Sequence, residues 1–363
     1  METFLITGGA GFLGSAIAFR LRSEYPAARI IALDNLRRRG SELNVPRLAA
    51  RGIEFRHGDI RSPGDLEIGA LDAIVECSAE PSVLAGRDGD ARYLLDTNLG
   101  GAINCLELAR RGAAALLFVS TSRVYPFDRI GALPLATEGD RFVLDRHAAL
   151  PPGVTVDGVT TEFALPGRRT LYGASKLAAE LIVQEFADVY NLPALIVRFG
   201  VIAGPWQMGK LDQGFVALWA ARHHAGKPLS YCGYGGNGHQ LRDVLHVDDA
   251  VDLVTRGLSG MAAHRGSVFN AGGGIDRTIS LAELTVLCQS LTGRSIIIDR
   301  DPATRPGDIP WYVTDNAAVS AAFGWAPTRS VGTTVADVCD WIAGNSRELE
   351  VILHSGAEPV RSR

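Results

Sequence analysis

The feature of this sequence that most constrains its fold is a glycine-rich run, Thr7 to Gly14, which follows the apolar segment Phe4-Leu5-Ile6. Glycines let a backbone turn tightly and approach a pyrophosphate, and the free N–H groups at the start of a helix stabilise its negative charge. A run of this spacing between a strand and a helix predicts a dinucleotide-binding unit. Its predicted contacts are Gly8, Gly11, Phe12, Leu13 and Gly14.

An acidic residue lies where ribose recognition requires one. Asp34 ends the second apolar segment about 20 positions after the glycine run, and with Asn35 it is expected to bind the adenosine ribose. A carboxylate accepts both hydrogen bonds of the ribose diol and repels a 2′-phosphate, which favours NAD over NADP. The run Arg37-Arg38-Arg39 leaves NADP open, because such a run is either a solvated face or a partner for a 2′-phosphate.

The third apolar segment ends in His57-Gly58-Asp59-Ile60. We expect Asp59 and Ile60 to contact the adenine, with Asp59 accepting a hydrogen bond from its exocyclic amine. The alternative is a simple turn at the end of a strand.

Short apolar segments alternate with helical stretches through the first half of the chain, which is the pattern of βαβ units. We therefore expect an α/β fold, a doubly wound parallel Rossmann sheet with a smaller mixed α/β C-terminal substrate lobe. The predicted strands cover 4–6, 29–33, 53–55, 73–75, 116–119 and 194–197. The predicted boundaries are 1–198 for the sheet domain, to which 243–272 return, 199–345 for the lobe and 346–363 for a tail.

Two further segments have a distinct pattern. From Pro126 to Leu171 the periodicity fades, and a connection of that length in a compact domain is usually functional or disordered. Farther on, Ser280 and Glu283 are spaced as a capping box that begins a helix, and 335–342 predict an amphipathic helix.

Composition narrows the class of protein. The chain of 363 residues is 47% hydrophobic and 21% charged, with a formal net charge of −4, which disfavours nucleic-acid and membrane partners. Its five cysteines are widely spaced and form no C-x-x-C pair or histidine-rich cluster. We therefore expect reduced thiols, no metal site and a cytoplasmic location.

Tyr172 and Lys176 are spaced one helical turn apart on one face. A phenol has a pKa of about 10, so it acts as a base near neutrality only beside a cation, which Lys176 supplies. Such a pair on a surface helix is common. The segment Ser120-Thr121-Ser122 favours the functional interpretation, because it brings hydroxyls to the same sheet edge, where doubly wound folds bind ligands.

These motifs, together with Tyr172-Gly173-Ala174-Ser175-Lys176 and Arg242-Asp243-Val244-Leu245-His246, resemble those of the extended short-chain dehydrogenase/reductases that epimerise nucleotide sugars. The resemblance covers about Thr3 to Trp341 and implies NAD as cofactor, Thr121, Tyr172 and Lys176 as catalytic residues, and a nucleotide-diphosphate sugar as substrate. It adds cofactor contacts from Ser78, Ala79, Asn98, Ser120, Phe199 and Val201.

The substrate side resembles two branches of that family. Segments such as Asp212-Gln213-Gly214 and Gly236 to His246 resemble the CDP-paratose 2-epimerase (CDP-tyvelose epimerase) branch, whereas Arg305 to Pro310 resembles the phosphate-binding segment of the 4-epimerases. Arg242 and Arg305 are the candidates for the diphosphate, since a guanidinium bonds two phosphate oxygens. Ion pairs with Asp243 and Asp308 are the alternative, and a surface loop is the alternative for the candidate sugar ligands Gln207 and Gln213.

Two departures from the family pattern bear on activity. The fourth strand ends in Glu76-Cys77-Ser78-Ala79-Glu80 where many relatives have His-x-Ala, and Val201 replaces a frequent Asn; Glu80 is a candidate substrate ligand. A 4,6-dehydratase is expected to carry an Asp-Glu pair after the catalytic Thr, and this chain has Ser122-Arg123. We therefore expect epimerisation, with a nucleotide-sugar reductase next and a non-catalytic dinucleotide sensor as the alternative class.

The resemblance also implies a homodimer. Relatives pair through two helices per subunit, and the corresponding segments Thr97 to Arg111 and Tyr172 to Val189 carry apolar stripes. Packing of those stripes against the sheet is the alternative.

Overall fold

The computed structural model describes residues 2–87, 90–209, 214–346 and 349. The strands are, in chain order, β1 Thr3–Thr7, β2 Arg29–Asp34, β3 Glu54–His57, β4 Ala73–Glu76, β5 Ala115–Thr121, β6 Leu135–Glu138, β7 Arg141–Leu144, β8 Val154–Thr155, β9 Gly158–Val159, β10 Ala194–Phe199, β11 Val201–Ala203, β12 Leu229–Cys232, β13 Leu241–His246, β14 Val268–Ala271, β15 Thr278–Ser280, β16 Ile298–Asp301 and β17 Trp311–Tyr312.

The helices predicted after the glycine-rich run and after Ser280 begin at Phe12 and Leu281. The α-helices are α1 Phe12–Glu24, α2 Val45–Ala49, α3 Ala91–Leu95, α4 Gly101–Gly112, α5 Phe127–Gly131, α6 Leu171–Val189, α7 Phe215–Ala225, α8 Val247–Gly260, α9 Leu281–Thr292, α10 Ala317–Phe323 and α11 Val331–Gly344. The predicted capping box is present, because the Ser280 hydroxyl accepts from the Glu283 N–H while the Glu283 carboxylate accepts from the Ser280 N–H. Within the described residues, no helix is both long and apolar enough to span a bilayer.

In the described part of the chain, seven parallel strands form the main sheet in the order β3-β2-β1-β4-β5-β10-β14. The order reverses between β1 and β4, which is the topological switch point where doubly wound sheets bind ligands. All six predicted strands are present, with β3 running to His57. The expected fold class is confirmed, and the last strand, β14, returns from late in the sequence to pair with β10.

A smaller lobe follows β10. It contains a mixed sheet in which β13 pairs with β11, β15 and β17, and a separate pair, β12 with β16. Helices α7, α9 and α11 pack together over an apolar core that includes Trp219, Leu284 and Val338. This lobe lies beside the carboxyl ends of the main strands because β11 begins two residues after β10 ends.

The connection from Pro126 to Leu171 is ordered, which the fading periodicity did not predict. It contains α5 and two hairpins, β6 with β7 and β8 with β9. Strands of two to four residues are too short to show an alternating pattern. Their apolar residues bury against Trp311 and Tyr312 of the smaller lobe.

The helix predicted over Thr97 to Arg111 is interrupted. Residues Asp96–Gly100 form a π-helical segment between α3 and α4. A π segment inserts one extra residue per turn, and such segments are frequent at functional sites. This one contains Asn98, one of the predicted site residues.

Candidate active site

The glycine-rich loop runs from β1 into the start of α1. Gly11 is the N-cap of α1 and its N–H donates to the Gly8 carbonyl at 2.9 Å. A Cβ on Gly14 would lie 2.2 Å from the Gly8 carbonyl oxygen, so only glycine lets the loop fold back against the helix. The loop therefore presents backbone N–H groups at a helix start, which fits a pyrophosphate.

Asp34 is held against this loop at the end of β2. Its carboxylate accepts from the Ala10 N–H at 3.1 Å and from the Leu36 N–H at 2.8 Å. Burial raises the pKa of Asp34, and these backbone hydrogen bonds oppose that shift. On the other side of the loop, the Asn44 amide donates to the Ala10 carbonyl at 2.8 Å. The carboxylate thus lies beside the loop, where a ribose diol would bind it.

The predicted adenine contact, Asp59, already has protein partners. Its carboxylate accepts from the Asn35 amide at 2.9 Å and from Arg61 at 3.0 and 2.7 Å. The guanidinium of Arg37 lies 3.7 Å from the centre of the Tyr93 ring. Arg38, the next residue, donates to the Met208 carbonyl at 2.6 Å. Arg37 and Arg38 therefore have protein contacts, which fits an NAD site better than a 2′-phosphate site.

Helix α6 brings Tyr172 and Lys176 to the end of β5. The Thr170 hydroxyl caps the helix by accepting from the Gly173 N–H at 3.2 Å. A Cβ on Gly173 would lie 2.1 Å from the Arg123 carbonyl oxygen, so glycine is what permits the close approach of α6 to the residues after β5. Tyr172 is 9% exposed and Lys176 2% exposed, so both side chains are buried one turn apart.

The phenol of Tyr172 is surrounded by charged and polar groups. Burial raises the pKa of Tyr172, the Thr121 hydroxyl and the Arg123 guanidinium oppose the shift, and the carboxylates of Glu76 and Glu80 add to it. Arg123 is therefore a cation acting on the phenol that the sequence did not predict. The predicted cation, Lys176, lies with its Nζ 3.6 Å from Glu76 Oε2.

Asn98 lies behind the cleft and ties three segments together. Its amide donates to Ser175 Oγ at 3.0 Å, and Ser175 Oγ in turn donates to the Tyr172 carbonyl at 2.8 Å. The Asn98 carbonyl oxygen accepts from the Glu80 N–H at 2.8 Å. The π segment thus fixes the start of α6 relative to the loop after β4.

One cleft of about 1380 Å³ connects these groups with the smaller lobe. It contains both the predicted cofactor residues and the predicted substrate residues, apart from Asn98 behind it and Gln213, which lies outside the described residues. The predicted residues that line it are Gly8, Gly11, Phe12, Leu13, Gly14, Asp34, Asn35, Asp59, Ile60, Ser78, Ala79, Glu80, Ser120, Thr121, Tyr172, Lys176, Phe199, Val201, Gln207, Arg242 and Arg305.

The two arginines predicted to bind phosphate have different surroundings. Arg242 donates to the backbone carbonyls of Leu241 at 2.7 Å and Ile309 at 2.6 Å and pairs with Asp308 at 3.3 Å. The ion-pair partner is therefore Asp308, and Asp243 is instead buried against the backbone N–H groups of other residues. Arg305 contacts the sulfur of Cys232 at 3.2 Å and is exposed.

Gln207 is the remaining candidate sugar ligand that the structure describes. Its amide nitrogen donates to the Ile202 carbonyl at 2.8 Å, and its buried Oε1 has no hydrogen-bond partner among the described residues. Gln207 therefore lines the cleft and carries a buried acceptor that the described residues leave unsatisfied.

Sequence reasoning missed Arg222 as a cleft residue. It lies near the end of α7 and lines the cleft, and its buried Nε has no hydrogen-bond partner within the described residues. In the sequence it stands with His223 and His224, which is the usual basic pattern at a helix C-terminus. No local motif distinguishes it from such a capping residue.

Comparisons with known proteins identify the family of the chain. The family model described as NAD dependent epimerase/dehydratase family matches residues 4–272. The chain is 29% identical to a CDP-paratose 2-epimerase of Salmonella typhi, covering 93% of this chain and 98% of that protein. It is 27% identical to a dTDP-glucose 4,6-dehydratase of Xanthomonas campestris pv. campestris, covering 97% and 96%.

A solved structure gives the same picture of the fold. The UDP-glucose 4-epimerase of Thermus thermophilus in complex with NAD superposes with a TM-score of 0.73 and 25% identity, covering 94% of this chain and 99% of that one.

Proposed function

The chain belongs to the NAD dependent epimerase/dehydratase family, with NAD as its cofactor, and from that premise we propose that it epimerises one carbon of a nucleotide-diphosphate sugar through a transient keto sugar. The observation that carries the choice of epimerisation is the pair of residues after Thr121. Ser122 and Arg123 stand where a dehydratase needs an acid/base pair to remove water. Arg123 instead donates to the Gly307 carbonyl at 3.4 Å and cannot serve as an acid near neutrality.

The protein groups at the reacting carbon are Thr121, Tyr172 and Lys176. Tyr172 accepts the proton of the sugar hydroxyl, and the Thr121 hydroxyl bonds the same oxygen. Lys176 lies on the same face of α6 as Tyr172, where its ammonium can bond the ribose of the cofactor. When bound, NAD supplies the acceptor and later the donor of the hydride.

The rest of the cleft holds the substrate during the reaction. Arg242 and Arg305 bind the diphosphate, and the sugar turns between oxidation and reduction so that its other face meets the cofactor. Gln207 and Glu80 contact sugar hydroxyls from the two sides of the cleft. Arg222 adds a third cation, which is consistent with a doubly charged diphosphate.

The nucleotide and the sugar are a finer question. The similarity to a CDP-paratose 2-epimerase along 93% of this chain supports CDP-paratose as the first substrate to test. The phosphate-binding segment around Arg305 also resembles that of the 4-epimerases, so UDP-linked sugars are the second class.

The test uses purified protein without added cofactor. It is incubated with CDP-, UDP-, GDP- and dTDP-sugars, and isomerisation is followed by NMR. With substrate deuterated at the reacting carbon, we expect the product to keep the label and no NADH to accumulate. Loss of the label to solvent would point to enolisation beside a ketone, and stoichiometric NADH to a simple dehydrogenase. A protein that binds NAD but changes none of the sugars would support the sensor alternative.

We further propose a homodimer formed through α4 and α6, in the cytoplasm. The inner faces of these helices bury Cys105, Leu106 and Val183 against the sheet. On the outside of α6, Leu181 and Val189 are 55% and 64% exposed. Part of each apolar stripe therefore packs against the sheet. The apolar residues that remain exposed support pairing with a second copy of the chain.

A further inference from the structure

A buried carboxylate that the proposed mechanism leaves unused lies at the end of β4. Glu76 is paired in register with Thr7 of β1 on one side and Phe118 of β5 on the other, so it occupies the centre of the main sheet. Its side chain is 1% exposed. Carboxylates are almost never fully buried unless they are paired with a cation, so this position needs a physical account.

The cation that pairs with Glu76 is Lys176. The Lys176 Nζ lies 3.6 Å from Glu76 Oε2, and its side chain is 2% exposed. Among the described residues neither carboxylate oxygen of Glu76 has a hydrogen-bond partner. On the other side, the same ammonium lies 3.8 Å from the centre of the Phe118 ring. Burial raises the pKa of Glu76, and the charge of the Lys176 ammonium is the strongest effect that opposes this shift.

Tyr172 lies one turn of α6 from this pair, within reach of its charges. The titratable and charged groups that face Tyr172 or the pair come from all the packed elements. They are Lys176 on α6, Arg123 after β5, Glu76, Cys77 and Glu80 at and after β4, and Cys105 on α4. Burial raises the pKa of the thiols of Cys77 and Cys105, so they stay neutral. At Tyr172 the charge of Arg123 is therefore opposed by the two carboxylates of Glu76 and Glu80, with Lys176 one helical turn away.

We propose that Glu76 is a positioning residue for the reaction, which holds the ammonium of Lys176 beneath the sheet edge and thereby sets the pH range in which Tyr172 works. The proposal rests on the assignment of Tyr172 as the base. Lys176 without a counter-anion would favour the phenolate strongly. With Glu76 beside it, part of the Lys176 field is cancelled, and the charge of Glu76 itself favours the neutral phenol.

The consequence is that the phenolate of Tyr172, the form that can accept the proton of the sugar hydroxyl, forms at a higher pH than it would without Glu76. A phenolate buried in the site before substrate binds would be destabilised by desolvation. Glu76 makes this chain differ from relatives that have a histidine at the end of the fourth strand.

The experiment reads the titration of Tyr172 directly and needs no substrate. The protein carries eight tyrosines. It is labelled with ¹³C at the tyrosine Cζ and loaded with saturating NAD, which also stabilises the folded state. The Tyr172 signal is assigned by its loss in Tyr172→Phe. In Glu76→Gln we expect the titration midpoint of this signal to fall by about one pH unit, a tenfold rise in the phenolate-to-phenol ratio at a given pH.

Asp249→Asn is the matched control. Asp249 is another buried carboxylate with an ion pair, to Arg329 at 2.8 Å, and it accepts from Thr328 far from the cleft. Its loss should lower thermal stability and leave the Tyr172 midpoint unchanged. An unchanged or higher midpoint in folded Glu76→Gln would overturn the proposal.

Glu76→Asp provides a second test if the Glu76→Gln variant does not fold. It retains the negative charge but withdraws it from Lys176 by one methylene, so we expect a smaller fall of the midpoint in the same direction. An unchanged midpoint there would also overturn the proposal. Because the readout is the phenol itself, a protein inactive on every sugar would contradict the proposed function and leave this result intact.

Discussion

The Arg242 guanidinium lies 3.3 Å from the Asp308 carboxylate, although 66 positions separate the two residues in the chain. The same guanidinium donates to two backbone carbonyls, and its side chain is 11% exposed. Burial lowers the pKa of Arg242 to about 10, with Asp308 opposing the shift, so it stays charged at neutral pH. The Arg242 guanidinium is thus held in one orientation, and it lines the cleft with only a small part of its surface exposed.

The first prediction concerns this orientation. Arg242→Lys should raise KM for the nucleotide sugar about tenfold and change kcat less, because a lysine ammonium cannot bond two carbonyls and a phosphate in one plane. Initial rates and calorimetric titration with the nucleoside diphosphate measure it. Arg300→Lys, at an exposed position whose guanidinium contacts Asn237, is the control. Equal KM values in the two variants would show that Arg242 does not bind the diphosphate.

The second prediction concerns the base. Tyr172→Phe removes the phenolic oxygen and little volume, so turnover should fall by about 10³-fold while NAD stays bound. Chromatography of the nucleotides released on denaturation measures the bound NAD, and NMR follows the sugar. Tyr25→Phe, which alters a ring packed on Phe4 far from the cleft, should leave both unchanged. Turnover at the wild-type rate in the Tyr172 variant would contradict the assignment.

The third prediction is a pH dependence of stability at Asp59. Burial raises the pKa of this carboxyl, but the hydrogen bonds from Arg61 and Asn35 outweigh that effect and lower it to about 2. A lowered pKa in the folded state stabilises the fold above the unfolded value of about 4, and the gain is lost as the pH falls from about 4 to about 2. Asp59→Asn should therefore cost about 1 kcal/mol at pH 7 and progressively less below pH 4.

Urea unfolding at a series of pH values, with the same NAD concentration throughout, measures this difference. Asp157→Asn, at an exposed position in the β8–β9 hairpin, is the control and should show no such pH dependence. A difference between Asp59→Asn and wild type that stays constant from pH 7 to pH 3 would refute the role of the ion pair.

The fourth prediction concerns assembly. We expect light scattering to report a dimer at micromolar concentration and Leu181→Glu to shift it towards monomer, because the substitution places charges at an apolar contact between copies. Val156→Glu changes a residue that is 76% exposed on the β8–β9 hairpin and should leave the dimer intact. A wild-type monomer would disprove the pairing.

The parts of the fold that follow from local patterns could be predicted. The glycine-rich loop, Asp34 at the end of β2 and the capping box at Ser280 each depend on residues close in sequence, and the structure has them at the expected places. The cofactor side of the cleft is built largely from such strand ends. The residues on the cofactor side could therefore be identified from the sequence.

Long-range contacts could not be predicted in the same way. The pairing of Arg242 with Asp308 joins segments whose approach depends on how β13 and β17 align. The order of 126–171 arises from burial against Trp311 and Tyr312, since its own strands are too short to carry a period. Arg222 has no motif, and its buried Nε, without a partner among the described residues, becomes informative only once the cleft is formed.

The two hairpins of the 126–171 connection act as a tether between the halves of the molecule. Arg141 binds Glu283 of α9 through two hydrogen bonds of 2.6 Å, and Val159 pairs with the backbone of Val313 and Asp315. The same stretch of chain leaves the main sheet just after Thr121 and leads into α6 just before Tyr172. A rotation of the smaller lobe relative to the main sheet therefore acts on both Thr121 and Tyr172. The distance between their hydroxyls is in this way coupled to how far the cleft is open.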